Sequence, residues 1–485
     1  MLGFGGATPP INQVLPYFKR RLNGHCLVVS SSGDHLFLSD QQVQILDSGQ
    51  VHLFPLEAQA QLKSRFFIAE NDWQGSRRLL VSRKAARHET VETGVGLHII
   101  VLTLQCAHSC QYCQVSRSLA DTGHTMSLEN LLEACRSIFQ SPAQSLTVEF
   151  QGGDPLLRFD LLEKAILYIE ELNQNFGRKI RFVVASTLHQ LTESMCLFFQ
   201  NHQVVLSTSI DGPAALHNRN RPIPGRNSYE RTLQGIELGR RMLGEESVSA
   251  LMTTTKLSLS FPEEIVDEYV RLGFRDIFLR PLSSYGFAKR NQSLLGYELD
   301  RFHEFYQRAF ERVLYWNRKG VELREVYASI ILNKILSPFD GGYVDLQSPT
   351  GAGHSVMVYN YDGYVYPSDE ARMLAESGDV SLRLGRIGVP LDVLQASPTQ
   401  QALRQASLVT EIAACSACAF QTFCAPNPVD SQAQFGVVDA PVLETEHCLR
   451  HQWLFDFFFD RVSSATEDEL DLFYAWARPS IEEVY

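Results

Sequence analysis

At 485 residues the chain is long for one domain, and two or three domains are expected. Hydrophobic residues make up 45% and charged residues 20%, the balance of a globular protein with a sizeable core. The formal charge of −12, from 43 basic and 55 acidic residues, argues against a non-specific nucleic-acid binder.

No apolar run approaches the roughly 20 residues needed to span a bilayer. The opening "MLGFGGATPPINQVLP" shows no basic segment followed by an apolar one, so no secretory signal is visible. The expectation is a cytoplasmic chain with no membrane partner and no nucleic-acid partner. Seven of the ten cysteines fall into two clusters. In a reducing compartment, clustered thiols point to metal ligation before disulfides. Cys135, Cys196 and Cys26 stand apart, in amphipathic or strand-like runs, and read as core.

In chain order, residues 17–45 predict a β-hairpin followed by a helix, with "SSSGD" as turn between "CLVV" and "HLFL". A second helix is expected at "LEAQAQLKSRFF". The charged stretch "NDWQGSRRLLVSRKAARHETVETGVG" reads as a connection between domains.

From residue 97, strand candidates recur at "LHIIVLTL", "SLTVEF", "IRFVVAS", "VVLSTSI", "VSALMTT" and "DIFLRPL". Helical patterns such as "DLLEKAILYIEELNQ", "YERTLQGIELGRRML" and "PEEIVDEYVRLG" separate most of them. This α/β alternation predicts parallel strands with right-handed crossovers. Six units fit an open barrel or a doubly wound sheet, and spacing does not separate the two. Short motifs follow the strands: three cysteines the first, "QGGDP" the second, "STLHQ" the third and "DGP" the fourth. The carboxyl ends of parallel strands share one face, so these motifs predict one site. Beyond about residue 340 the alternation fails, and "SVMVYNYDGYVYPS" predicts a hairpin turning at Asp362-Gly363.

Cys106, Cys110 and Cys113 stand at C-x3-C-x2-C in "LTLQCAHSCQYCQVS". Three thiolates from one loop can hold three corners of an iron–sulfur cube and leave one iron open. Zinc competes, but a structural zinc site wants four ligands, and His108 sits inside the same tight loop.

"CAHSCQYC" with "QGGDP" resembles the radical S-adenosylmethionine (SAM) enzymes. The resemblance implies a 4Fe–4S cluster on Cys106, Cys110 and Cys113 whose free iron is chelated by SAM. It also implies that Tyr112 lies beside the adenine, and that Gly152, Gly153, Asp154 and Pro155 form the segment contacting the SAM amino group. Ser209 and Asp211, with Ser186 as a weaker candidate, match polar positions near the ribose and methionine carboxylate. The plain alternative for the two glycines is a tight turn after a strand. Longer segments, including "STSIDGPAALHNRNRP" and "YNYDGYVYPSDEARMLAESGD", resemble the HxsB-type radical SAM maturases of His-Xaa-Ser repeat peptide systems. The implied fold is a partial (β/α)6 barrel.

Cys415, Cys418 and Cys424 read C-x2-C-x5-C, and Cys448 follows 24 positions later. Spacing alone leaves zinc and iron–sulfur open. The resemblance extends to the cysteine-rich SPASM extension, which carries up to two auxiliary clusters. Here Thr350, Ser368 and Pro428 stand where three of its cysteines would be. One auxiliary 4Fe–4S cluster, fully ligated by Cys415, Cys418, Cys424 and Cys448, is therefore expected. Ser368, Asp369 and Glu370 either line the vacated site or form a solvated turn.

These readings predict three regions: residues 1–90 as a leader-peptide-recognition-like domain, 91–335 as the barrel and 336–485 as the SPASM-like domain. A cap on the barrel is the plain alternative for residues 1–90. The implied partners are a ribosomally made precursor peptide, a flavodoxin- or ferredoxin-type electron donor and a second maturase. Two other functions remain: radical chemistry on a small molecule or on a sulfatase Ser or Cys, and a non-catalytic zinc-stabilised binding protein. No residue is assignable as catalytic acid or base.

Overall fold

The structure, a computed structural model, describes residues 13–70, 74–87, 93–113, 117–118, 123–283, 285–286 and 291–478. The chain begins with a three-stranded antiparallel sheet of β1 (Tyr17–Arg21), β2 (Cys26–Ser30) and β3 (His35–Leu38). The hairpin expected from sequence is β2–β3, and β1 is an addition to it. The run "YFKRR" shows no alternation because its cations fall on both faces of the strand. Lys19 pairs with Asp47, Arg21 with Asp40 and Arg20 with Asp456. Helices α1 (Asp40–Asp47) and α2 (Leu56–Ser64) cover one face of this sheet. α1 starts with a capping box, Ser39 with Gln42, which satisfies two otherwise orphaned amides. The expected connection contains a helix, α3 (Gln74–Ala86), none of whose residues is buried. Residues 71–73 and 88–92 of that stretch lie outside the described residues.

Five parallel strands follow: β4 (Leu97–Thr103), β5 (Ser145–Gly152), β6 (Lys179–Ala185), β7 (Val205–Ser209) and β8 (Val248–Leu251). They pair in sequence order. The sixth unit, Asp276–Ile277, pairs in parallel with Arg324–Glu325. A doubly wound sheet reverses its strand order partway, whereas this one advances in a single direction, which settles the sequence ambiguity in favour of a partial barrel. The crossover helices are α4 (Leu128–Ile138), α5 (Phe159–Asn173), α6 (Glu193–Asn201), α7 (Ala214–Asn220), α8 (Ser228–Leu243) and α9 (Pro262–Arg271), of which α5, α8 and α9 follow the helical patterns predicted from sequence.

Alternate strand residues point outward into this helical layer: Leu146, Val148 and Phe150 of β5 belong to the main core with Leu161, Ile166 and Ile169 of α5. Cys135 and Cys196 are fully buried, and Cys26 is nearly so. The inward residues are different in kind. Glu149, Gln151, Val183, Ala185, Ser207 and Ser209 are only partly buried. Small and polar side chains there leave the barrel interior unfilled by the aliphatic layers that plug a closed eight-stranded barrel.

The predicted C-terminal hairpin is β9 (Val356–Tyr359) and β10 (Tyr364–Tyr366), turning through Gly363 at φ +82°. β9 also pairs in parallel with β4, from Val356↔Leu97 to Tyr359↔Ile100, and so extends the barrel sheet at its first strand. Two further helices follow, α10 (Leu299–Arg318), which packs against α9, and α11 (Val326–Leu336). The aromatic run "WLFDFFFD" lies on α12 (Glu446–Ser464), and α13 (Glu467–Ala477) ends the fold. Phe310 of α10 packs edge-on against Phe457, Phe458 and Trp476 at centroid distances of 5.6, 5.3 and 6.2 Å.

Lys334 of α11 is buried with its ammonium 2.5 Å from Asp340 and 2.8 Å from the Leu346 carbonyl. Removing one charge strands the other, which costs about 3–5 kcal/mol. Lys334→Met should therefore lower the thermal unfolding midpoint, and adding Asp340→Leu should recover much of the loss in a differential scanning measurement.

Candidate active site and cysteine-rich centre

The cysteine loop leaves β4 at Thr103 and folds back against the ends of β5 and β7. Its amides are anchored: Cys106 N–H donates to Ser118 O, Ser109 N–H to Pro222 O and Gln111 N–H to Asn220 O. Gly153 N–H donates to Thr103 O at 2.8 Å and Asp154 N–H to Gln105 O at 2.7 Å. The approach leaves no room for side chains. A Cβ on Gly153 would sit 2.1 Å from Gln105 O, and one on Gly152, at φ +126°, 2.5 Å from Thr103 O. The pair of glycines thus holds the cysteine loop on the second strand.

Asp154 is fully buried and accepts hydrogen bonds from Ser186 Oγ (2.7 Å), Thr187 Oγ1 (2.5 Å) and Leu156 N–H (3.2 Å). Burial raises its pKa, and these donors oppose the rise. Pro155 opens the 3-10 turn Pro155–Arg158, a position whose missing N–H costs nothing. Ser186 gives its proton to Asp154 and accepts from Leu188 N–H, so its hydroxyl is committed within the protein.

Tyr112 is buried, with its hydroxyl 2.8 Å from both oxygens of the fully buried Asp211. Arg221 completes the group, its Nε 3.3 Å from Asp211 Oδ1 and its guanidinium 5.2 Å from the Tyr112 ring centre. Arg221 was not singled out from sequence. It sits in "HNRNRP", a run with no spacing signature of its own. Ser209 ends β7 on the inward face. The hydrogen bonds thereby unite motifs from the first four strand ends, as their positions predicted.

Three thiols remain for a ligand. Burial pushes Cys110 up to about 12 and Cys106 higher still, so their thiolates require a nearby cation. His108 lies between two partners: its Nε2 is 3.2 Å from the His189 ring, which in turn meets Thr232 Oγ1 at 3.0 Å, and its Nδ1 is 4.0 Å from Cys110 Sγ. The donor set is therefore three sulfurs from one loop, which suits a cubane with one open iron.

Cys415, Cys418, Cys424 and Cys448 line one small cavity with Phe420, His447 and Gln452. Burial holds Cys415 up at about 12 and Cys424 higher, and the neighbouring thiols add to both. His447 shares this wall, but its Nε2 donates to Ala425 O at 2.9 Å. Gln452 Nε2 donates to Cys448 Sγ at 3.3 Å. Among the described residues, no three His, Cys, Asp or Glu side chains converge tightly enough to grip a single ion.

The three positions that lack cysteines serve the local fold. Ser368 is a buried N-cap for Asp369–Glu376, Pro428 is the first residue of the helix Pro428–Phe435, and Thr350 Oγ1 accepts from Ala352 N–H. The solvated turn is thus corrected: Ser368 is buried, and Asp369 accepts from Nε of the fully buried Arg372 at 2.8 Å. Glu370 faces inward, 4.0 Å from Arg280. Burial, with Asp369 nearby, raises Glu149 of β5 to about 7, and burial with Asp345 and Asp369 raises Glu370. Glu149 and Arg280 belong to no spaced motif, whereas Glu370 was a candidate from sequence.

Residues 100–277 match the sequence model of the Radical SAM superfamily. The chain is 26% identical over 212 residues to the serine-type anaerobic sulfatase-maturating enzyme of Klebsiella aerogenes, covering 42% of this chain and 50% of that protein. It is 24% identical over 396 residues to an uncharacterised protein of Archaeoglobus fulgidus, covering 77% and 87%. The matched part spans only about half to two thirds of several curated relatives, 65%, 55% and 50% of their lengths. Among solved structures, "Native anSMEcpe with bound AdoMet" superposes with a TM-score of 0.63 at 18% identity, over 78% of this chain and 99% of that one. Streptococcus suis SuiB bound to precursor peptide SuiA gives 0.51 at 14% identity, over 86% and 96%. At these identities the structural matches establish the shared fold. With the cysteine loop, the two glycines and the partial barrel in place, residues 100–277 are a radical SAM domain, the kind that carries a 4Fe–4S cluster and SAM.

Proposed function

We propose that the protein is a radical SAM maturase acting on a ribosomally made precursor peptide, of the His-Xaa-Ser type by sequence resemblance. The observation that carries the reading is the three-thiol loop at the end of β4, which has no fourth cysteine beside it among the described residues. When bound, the cluster and SAM supply a 5′-deoxyadenosyl radical that removes hydrogen from the substrate.

The chain's own part is orientation and exclusion of water. Tyr112, held by Asp211 and Arg221, presents a fixed aromatic wall for the adenine. Gly152, Gly153, Asp154 and Pro155 offer backbone carbonyls to the SAM amino group, Ser209 serves the ribose and carboxylate, and Asp211 acts through Tyr112 and Arg221. Ser186 acts through Asp154. Cys415, Cys418, Cys424 and Cys448 would hold an auxiliary 4Fe–4S cluster, closed to substrate. Support for a peptide substrate comes from the fold shared with the SuiA-bound SuiB structure. It also comes from the N-terminal sheet, where β1 is an edge strand to which an extended leader could add. Residues 1–90, 91–335 and 336–485 are the corresponding regions. A flavodoxin or ferredoxin is the proposed reductant, a second maturase a proposed partner and the cytoplasm the proposed location. Among the described residues no helix is long and apolar enough to cross a membrane.

The anaerobic protein should bind about eight irons if two cubes form. Replacing Cys106, Cys110 and Cys113 by alanine should remove about four of them and abolish 5′-deoxyadenosine formation. Stoichiometric zinc in a colourless protein would overturn the reading. Co-expression with a neighbouring small peptide gene should change that peptide's mass or stereochemistry, and an unaltered peptide by mass spectrometry and chiral analysis would count against peptide modification.

The interior carboxyls give a pH signature. A glutamate raised to about 7 in the folded state and ordinary in the unfolded one stabilises the fold below its unfolded pKa, and that contribution is lost as pH rises through its folded value. Between about pH 4.5 and 7 the thermal midpoint should fall more steeply for the native sequence than for Glu149→Gln, and above that window the two profiles should run parallel.

A further inference from the structure

The N-terminal sheet reaches the cysteine-rich centre directly. Arg20 of β1 donates through Nε to Asp456 Oδ1 at 2.6 Å, and its guanidinium lies 5.1 Å from the centre of the Phe420 ring. Phe420 stands between Cys418 and Cys424 and stacks on Phe455 and Phe459 at 5.2 and 5.8 Å. Those two rings and Asp456 belong to α12, whose first turn carries Cys448. A second arginine repeats the arrangement: Arg87 lies 5.4 Å from the centre of Phe423, the other aromatic in "CAFQTFC". Both rings between Cys418 and Cys424 are thus covered by cations from the N-terminal region.

We propose that Arg20 is a tuning residue for the four-cysteine centre: the N-terminal sheet places a cation beside the cluster-holding loop and thereby raises the centre's reduction potential. This rests on the reading of Cys415, Cys418, Cys424 and Cys448 as cluster ligands. Reduction adds negative charge to such a centre, so a nearby cation favours the reduced state, as does an N–H group donating to a ligand sulfur. Gln452 supplies the second of these and Arg20 the first. Arg20 keeps about a third of its side chain in solvent, which screens its effect without removing it.

The test uses the full chain with Cys106, Cys110 and Cys113 replaced by alanine, so that only the four-cysteine centre holds iron. Midpoints are read by redox titration followed by electron paramagnetic resonance. Arg20→Met should move the midpoint to more negative potential, Arg20→Lys should retain most of the native value, and Asp456→Asn should move it the opposite way. Unchanged midpoints in both Arg20→Met and Asp456→Asn, at full iron content, would overturn the tuning role. If Arg20→Met fails to load iron, Asp456→Asn carries the test alone: a positive shift supports the role, and no shift or a negative one overturns it. If the background chain itself holds no iron, the ligand assignment fails and the tuning role falls with it.

Discussion

The structure turns on one close approach. The backbone of Gly152 and Gly153 lies so near Thr103, Leu104 and Gln105 that no Cβ fits at either glycine. That contact fixes the cysteine loop to the second strand, and Asp154 carries the restraint to the third through Ser186 and Thr187. The fourth strand joins through Asp211 and Tyr112. Each link is a buried polar contact with its partner supplied, so the loop is ordered by its neighbours and its thiols are aimed by the barrel. The same segment is expected to meet SAM. Packing and cofactor contact therefore constrain the glycines together, and the plain reading of them as a tight turn is incomplete.

The surroundings of the two cysteine sites treat charge alike. Around Cys110 the cation is Arg221, shared with Asp211. Around Cys448 it is Arg20, shared with Asp456. In both places an arginine is held by an aspartate and laid over an aromatic ring, Tyr112 in one and Phe420 in the other. Such an arrangement keeps a cation near sulfur at a fixed distance, which a lysine on a flexible stem would do less well.

Much of this was legible in the sequence, because strands, helices and cysteine loops leave local signals. All six barrel strands announced themselves as apolar runs, and the four motifs shared a face because parallel strands end together. The reasons for what stayed hidden are physical. β1 is short and cationic, and its partners are a ladder with β2 and aspartates at positions 40, 47 and 456, which no local pattern reveals. The pairing of β9 with β4 joins residues some 260 positions apart in parallel, and parallel pairing has no turn to betray it. Arg221, Glu149 and Arg280 act as single residues placed by the fold. Ser368 looked like part of a solvated turn, yet capping a buried helix is what its hydroxyl does.

That pairing of β9 with β4 has a further consequence. Four successive residue pairs tie the C-terminal part to the strand that bears the Cys106 loop, and α12 and α13 share the barrel's own hydrophobic core. A hinge between the two parts would have to break a ladder and open that core at once. The separation between the two sets of sulfurs is therefore set when the chain folds.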